Sequence, residues 1–341
     1  MNSNRNPRFA LGSLGGRFTL LCVIADVQHA EARAALEAFN RQQFSETVRA
    51  GAVFCADPAG ADDPLLAEAG KSKLVFNDPS AANACGLLQE GAPGQWILID
   101  PSLRAVAFWP LSESGHAIVA LEQTPSPDQH AGVQLNAPVL IAPRIFEPEF
   151  CKVLIEYYRR NGGEPSGVTQ ASAEGVTFVK LDDAFKRRSD CLIEDAKLRE
   201  AIMQRIYWRL APEIEKAFMW RPTRMERYLV ACYDAESGGF FKPHRDNTTP
   251  GTAHRRFAVT INLNAGEYEG GDLRFPEFGT RTYRAPTGGA VVFSCALLHE
   301  ATPVTRGQRY AFLPFLYDEA AAKVREQNNR FLDESIRPYS G

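Results

Sequence analysis

Apolar and polar positions follow two different rhythms along this chain, one before about residue 125 and one after residue 137. In the first stretch, Phe18–Ala25 (FTLLCVIA) is an unbroken apolar run behind a Gly-rich turn, the signature of a buried strand. His29–Gln43 (HAEARAALEAFNRQQ) is rich in helix formers, with Ala34/Ala35 and Ala38/Phe39 on one face. Val48–Phe54 and Lys73–Phe76 read as further strands and Ala81–Leu88 as a short helix. Gln95–Asp100 (QWILID) and Arg104–Trp109 (RAVAFW), joined by a Pro-Ser turn, form a hairpin pattern. Helices interleaved with apolar strands predict an α/β domain over residues 1–125. Thr124–Gly132 (TPSPDQHAG) has two prolines and no periodicity, which predicts a linker over 126–136.

The second stretch, 137–341, has a different texture. Glu147-Pro148 opens a helix through Tyr158, because proline at the first helical position loses no hydrogen bond. Phe150, Leu154, Tyr157 and Tyr158 give it an apolar face, and Gly162-Gly163 stops it. A longer helix over Lys197–Phe218 carries Leu198, Ile202, Ile206, Leu210, Ile214 and Phe218 at four-residue spacing, and Pro212 should kink or split it. From Met225 to Tyr317 short strands alternate with Gly, Pro, Asn and Asp. That predicts a jelly roll with the preceding helices on one outer face, an α+β domain with its core at 225–318.

Composition narrows the function classes. The 341 residues are 45% hydrophobic and 23% charged, with a net charge of −3, ordinary for a folded soluble protein and without a footprint for nucleic acid or an anionic membrane. The longest apolar run is too short to span a bilayer and lacks the flanks of a signal peptide. The seven cysteines are scattered without a C-x-x-C pair, so reduced thiols and a cytoplasmic address are expected.

The chemistry concentrates in Phe240–Asp246 (FFKPHRD). On a strand, His-x-Asp turns both side chains to one face, so His244 and Asp246 converge on one point. A third ligand from a neighbouring strand would complete a facial two-histidine, one-carboxylate set with open positions, which suits non-haem iron(II). His299 follows the apolar strand Ala290–Phe293 and is well placed; His254 is a rival, but its polar turn (TTPGTAHRR) reads as solvated surface. Arg309 opens the apolar-aromatic strand Arg309–Leu316 (RYAFLPFL). A guanidinium buried there needs an anion, either one of the 41 acidic residues or a ligand carboxylate gripped in bidentate fashion.

These motifs, together with EYEGGDLRFPEFG (Glu267–Gly279), read as a middle hairpin, and PTGGAVVFSCALLHEATPVTRGQRYAF (Pro286–Phe312), resemble the catalytic core of the iron(II)/2-oxoglutarate oxygenases of the prolyl 4-hydroxylase-like class. The resemblance implies a double-stranded β-helix, with His244, Asp246 and His299 as iron ligands and Arg309 on the distal carboxylate of 2-oxoglutarate. It further implies dioxygen as co-substrate, ascorbate as helper, and hydroxylation of a prolyl or other protein side chain, or of a small molecule, with release of succinate and carbon dioxide. The segment Lys186–Asp195 (KRRSDCLIED) is similar to part of the family's support region. Tyr233 resembles the co-substrate-contacting tyrosine, but Tyr233–His244 is longer than the family's spacing, so a core aromatic is the alternative. A thiol-redox protein with a metal-binding β domain, and a non-catalytic iron/2-oxoglutarate sensor, are the competing readings.

Residues from Arg8 to Pro110 resemble a thioredoxin-fold domain of the peroxiredoxin type, through Leu11–Ile24, Ala32–Phe39 and Gln95–Trp109. The alignment that the resemblance implies puts Ala32 where the peroxidatic cysteine would stand and His29 near the family's threonine. Without a thiolate there is no attack on peroxide. Cys22 reads as core, while Cys55 and Cys85 leave a dithiol role open. A catalytically silent domain used for substrate docking or for a homodimer is expected.

Overall fold

The computed structural model describes residues 3–5, 9, 11–45, 48–88, 90–172 and 174–339. Arg8, where the peroxiredoxin-type resemblance begins, lies outside them, as do Met1 and Gly341 at the outer limits of the two expected domains. The chain divides into two compact units, one of Met1–Ala137 with Pro276–Thr280 and one of Pro138–Phe275 with Arg281–Gly341.

The first unit is built as β1 (Phe18–Ile24), α1 (Ala30–Asn40), β2 (Arg49–Cys55), α2 (Pro64–Ser72), β3 (Leu74–Asn77), α3 (Pro79–Ala84), β4 (Gly94–Ile99), β5 (Ala105–Pro110) and α4 (Ser114–Glu122). Its five strands form one sheet in the order β3-β2-β1-β4-β5, parallel from β3 to β1 and antiparallel from β1 to β5. All seven residues of β1 are buried, as a central strand covered on both faces requires. The period of two sorts them: Leu20, Cys22 and Ile24 pack with Ala35, Leu36 and Phe39 of α1, whereas Leu21 and Val23 pack with Phe54, Phe76 and Ile97. The α/β expectation is met. Helices α2 and α4 were not legible from periodicity, although Asp63 caps α2 by accepting from the Leu65 and Leu66 amides and Pro64 stands in its first turn.

The second unit opens with β6 (Leu140–Ala142) and α5 (Pro148–Asn161), which ends at Gly162 with φ 75°. Then come β7 (Glu164–Pro165), β8 (Val168–Ala171), β9 (Thr177–Lys180), β10 (Lys186–Arg187) and β11 (Ser189–Leu192). The long helix runs unbroken as α6 (Ala196–Arg205) and α7 (Ala211–Phe218), and Pro212 is accommodated by a change of pitch rather than a break. Between them Ile206–Leu210 widens into a π turn, in which the Ala211 amide donates to the Ile206 carbonyl. Strands β12 (Arg224–Glu226), β13 (Leu229–Asp234), β14 (Phe240–His244), β15 (Phe257–Asn262), β16 (Glu269–Gly270), β17 (Leu273–Arg274), β18 (Thr282–Tyr283), β19 (Ala290–Ser294), β20 (His299–Ala301), β21 (Val304–Arg306), β22 (Gln308–Phe312) and β23 (Phe315–Tyr317) follow, before α8 (Glu319–Gln327).

These strands make a nine-stranded sheet, β12-β23-β15-β22-β13-β11-β7 extended by β19 and β6, and a five-stranded sheet, β10-β14-β20-β17-β18. Leu154, Ile202, Leu210 and Ile214 from α5 to α7 pack with Val230, Val259, Ile261, Val292 and Phe312 of the larger sheet. Each such side chain is worth about 1.5–3 kcal/mol when fully buried, so the helices are fixed to that face. The middle motif is not a self-paired hairpin: β16 pairs with β21, and β17 pairs with β18 and β20. Its two Gly residues turn the chain out of one pairing and into the other, with φ 70° at Gly270 and 67° at Gly271.

Candidate metal centre

His244 and His299 sit directly opposite each other across the antiparallel pair β14–β20. Strand β14 ends at His244, so Asp246 lies beyond the strand rather than on it. Its amide donates to the Cys295 carbonyl at 3.0 Å, which holds the chain course and turns the carboxylate back toward both imidazoles. The ligand atoms of His244, Asp246 and His299 all fall within 4.8 Å of one another. Phe241 stacks on the His244 ring at 3.5 Å, and Phe293 flanks His299 at 4.5 Å, so apolar walls fix both rings.

Hydrogen bonding sets the tautomers. Nδ1 of His244 lies 2.8 Å from the Lys242 carbonyl and Nδ1 of His299 lies 3.0 Å from the Leu297 carbonyl. A carbonyl only accepts, so each Nδ1 carries the proton and each Nε2 presents a lone pair. Those lone pairs face Asp246: His244 Nε2 is 3.5 Å from Oδ1 and His299 Nε2 is 3.3 Å from Oδ2. Acceptors aimed at acceptors repel unless a cation sits among them, and two imidazoles plus one carboxylate are the donor set of an iron(II) oxygenase site. The side chains therefore fit ferrous iron.

Electrostatics point the same way. Burial and the neighbouring His244 push the His299 imidazole down to about 4, against the upward pull of Asp246, so it is neutral and able to ligate at pH 7. Burial raises the Asp246 carboxyl, but positive charge at His299, at His244 and on Arg255 outweighs it and holds the group well below the usual carboxylate range, a role that a cation takes over when both imidazoles are neutral. Outside the three clustered side chains, Arg255 donates from Nη1 to the Asp246 carbonyl at 3.4 Å and from Nη2 to Glu226 at 2.7 Å.

His254 is not solvated surface. It is 1% exposed, and its Nε2 meets Glu226 at 2.5 Å, because β12 brings that acid under the turn. It does not join the three-residue cluster.

Arg309 is 2% exposed and pairs in register with Tyr233 across β13–β22. Its guanidinium lies 4.9 Å from the Tyr233 ring centre, and Nε and Nη1 have no hydrogen-bond partner. The structure thus answers one of the two alternatives for this arginine: none of the described acidic side chains lies within salt-bridge distance of it. Buried donors without acceptors cost about 1–3 kcal/mol each, a cost that a bound carboxylate would remove. Tyr233, 3% exposed, is held from its other side by Arg188, whose Nη1 donates to the phenol oxygen at 3.4 Å. Arg188 is anchored in turn by Asp190 at 2.6 Å. This Arg-x-Asp pair on β11 and its approach lies within the KRRSDCLIED segment, where period two was a readable signal that sequence reasoning did not use.

In the first unit, Ala32 and Cys22 are fully buried. His29 caps α1, its Nδ1 accepting from the Glu31 amide at 3.3 Å. Burial pushes the Cys55 thiol up to about 11 and Cys22 higher still, while Cys85 is exposed. Among the described residues, no helix is long and apolar enough to cross a membrane.

The family model agrees with this geometry. Residues 228–317 match the family model described as the 2OG-Fe(II) oxygenase superfamily. A PKHD-type hydroxylase of Delftia acidovorans is 34% identical over 124 residues, 34% of this chain and 52% of the relative. The PKHD-type hydroxylase PiuC of Pseudomonas aeruginosa is 30% identical over 153 residues, 41% of this chain and 63% of the relative. The chain spans about half the length of the curated relatives it matches. Among solved structures, a Pseudomonas putida prolyl-4-hydroxylase is similar at 20% identity and a TM-score of 0.40, covering 56% of this chain and 96% of that one. The segment 228–317 that matches the 2OG-Fe(II) oxygenase superfamily model contains all three clustered side chains and Arg309.

Proposed function

We propose that this protein is an iron(II)- and 2-oxoglutarate-dependent dioxygenase that hydroxylates a protein side chain or a small molecule. The observation that carries the reading is the meeting of two imidazole lone pairs with the two oxygens of one carboxylate. His244, Asp246 and His299 would hold the metal on one face and leave the remaining positions open. When bound, ferrous iron supplies the oxidative decarboxylation of 2-oxoglutarate to succinate and carbon dioxide, coupled to hydroxylation with dioxygen. Arg309 would grip the distal carboxylate with its guanidinium, which has buried donors without a partner in the protein. The Lys242 and Leu297 carbonyls keep both imidazoles in the ligating tautomer. Phe241 and Phe293 exclude water from that side. Ascorbate would serve by keeping the metal ferrous.

The second unit is read as a double-stranded β-helix, and the first, with sheet order β3-β2-β1-β4-β5, as a thioredoxin-like domain of peroxiredoxin type without its nucleophile. Ala32 at the start of α1 and the raised thiols of Cys22 and Cys55 favour docking or dimerisation over peroxide chemistry for this unit.

The test is succinate formation from 2-oxoglutarate in air, with ferrous iron and with iron chelated. Iron-dependent succinate, even without an added substrate, is expected; its absence under both conditions would favour a sensor and overturn the proposal.

A further inference from the structure

Between β10 and β11 the chain crosses from the five-stranded sheet to the nine-stranded sheet, and the crossing carries Lys186, Arg188 and Asp190. Arg227, in the turn after β12, joins them. Three cations thus gather on one carboxylate. Arg188 Nη2 lies 2.6 Å from Asp190 Oδ2, Arg227 Nη2 lies 3.6 Å from the same oxygen, and Lys186 acts on it through space. Lys186 donates only to neutral oxygens, Ser166 Oγ at 2.6 Å and the Gly167 carbonyl at 2.8 Å. The neighbouring acids are committed elsewhere: Glu226 to His254 and Arg255, and Asp246 to the metal cluster.

Positive charge is therefore in excess where burial makes it costly. Lys186 is 5% exposed, and the side chain of Arg188 is likewise 5% exposed. Burial, Arg188 and Arg227 push the Lys186 amine well below its ordinary value, and burial with Arg255 and Arg188 brings Arg227 down to about 10. Two further observations point to a ligand. Arg188 Nε is buried with no hydrogen-bond partner. Arg227 has φ 72°, a left-handed conformation that residues other than glycine rarely hold and that collects at binding sites. Its side chain is also the most open of the three, at 28%.

The cluster borders the metal centre. Lys186 pairs in register with Phe241 and its Nζ lies 4.9 Å from that ring, which stacks on His244. We propose that Arg227, Arg188 and Lys186 form the subsite for an anionic group, a carboxylate or a phosphate, on the molecule to be hydroxylated. The proposal rests on the oxygenase reading above and names the substrate class within it. Arg227 meets the arriving anion, and Arg188 and Lys186 supply charge behind it. Asp190 Oδ1, an unpartnered acceptor, takes an ordered water beside the anion.

The full chain, loaded with manganese(II) and saturated with 2-oxoglutarate under argon, is titrated calorimetrically at constant ionic strength with butanoate, methyl phosphate and the neutral butanamide. Wild type binds one or both anions and not the amide; the stronger of the two identifies the anionic group. Arg227→Met weakens that anion by about tenfold, the worth of a hydrogen bond to a charged group, and Arg227→Lys restores part of the loss. Arg306→Met, which removes an exposed cation paired with Glu269, leaves the affinity unchanged. Because Arg227 is crowded by Arg188 and Arg255, the anion-free melting temperature of Arg227→Met does not fall. If manganese-loaded wild type takes up no 2-oxoglutarate, the oxygenase reading itself fails and the subsite falls with it. If 2-oxoglutarate binds, that reading stands and any of four results overturns the subsite alone. These are no binding of either anion, equal binding of butanoate and butanamide, anion affinity that survives Arg227→Met, and anion affinity that declines as 2-oxoglutarate is raised. An Arg227→Met protein that melts several degrees lower, or does not fold, shows that the arginine serves the fold and likewise overturns it.

Discussion

The repulsion among His244 Nε2, His299 Nε2 and the Asp246 oxygens predicts a metal-linked stability that the protein lacks without a cation. A ligand bound to the native state alone adds about 2.7 kcal/mol when its free concentration is a hundred times its dissociation constant. The C-terminal unit has roughly 200 residues, for which each kcal/mol moves the melting temperature by about 2–4 °C. Ferrous iron under argon should therefore raise the transition of that unit by about 5–10 °C relative to chelated protein. His244→Ala, Asp246→Ala and His299→Ala should each remove the shift, because two remaining ligands bind far more weakly. His254→Ala is the control. It deprives half-buried Glu226 of a partner and should lower the metal-free melting temperature, by about 1–2 kcal/mol of stability, yet keep the whole metal-induced increment. Differential scanning calorimetry measures all of these. A shift that survives Asp246→Ala, or one lost in His254→Ala alone, would refute the ligand assignment.

Two further predictions concern the scaffold. Burial raises the Asp190 carboxyl, but Arg188, Arg227 and Lys186 outweigh it and hold it at about 2, below the ordinary 3.8. A depressed carboxyl contributes stability above its unfolded value, lost as pH falls from 3.8 toward 2, so Asp190→Asn should remove about 2 kcal/mol at pH 7 and flatten the acid limb of the unfolding curve; an unchanged acid limb in urea titrations at pH 2–5 would contradict this. A thiol reagent at pH 8 should label Cys85 in the folded protein, while Cys22, Cys55, Cys151, Cys191, Cys232 and Cys295 wait for unfolding. Rapid labelling of Cys55, read by peptide mass spectrometry, would revive a redox role for the N-terminal unit.

Much of the site was legible because it rests on local rules. His-x-Asp is a short local motif, although the amide bond to the Cys295 carbonyl rather than strand period two turns Asp246 inward; His299 needs an apolar strand ahead of it, and the burial of Arg309 follows from the RYAFLPFL run around it. What the sequence hid is long-range. His254 reads as solvated because its turn is polar, and nothing nearby announces that Glu226, 28 residues earlier, will pair with it as it is buried. Tyr268 sits in a motif whose paired glycines look like a hairpin turn. Its orientation comes instead from Arg284, sixteen residues on, and from β16 leaving its neighbour to pair with β21. Pro212 announced a break in the long helix, but a π turn rather than a kink emerged because the flanking Ile206, Leu210 and Ile214 all remain packed on the same core.

A crystal of the full chain grown under argon with manganese(II) and 2-oxoglutarate tests the central claim most directly. The account predicts an anomalous scattering peak bonded to His244 Nε2, His299 Nε2 and one Asp246 oxygen, with the far carboxylate of the oxo acid on Arg309. Metal bound elsewhere, or an oxo acid whose far carboxylate points away from Arg309, would contradict it.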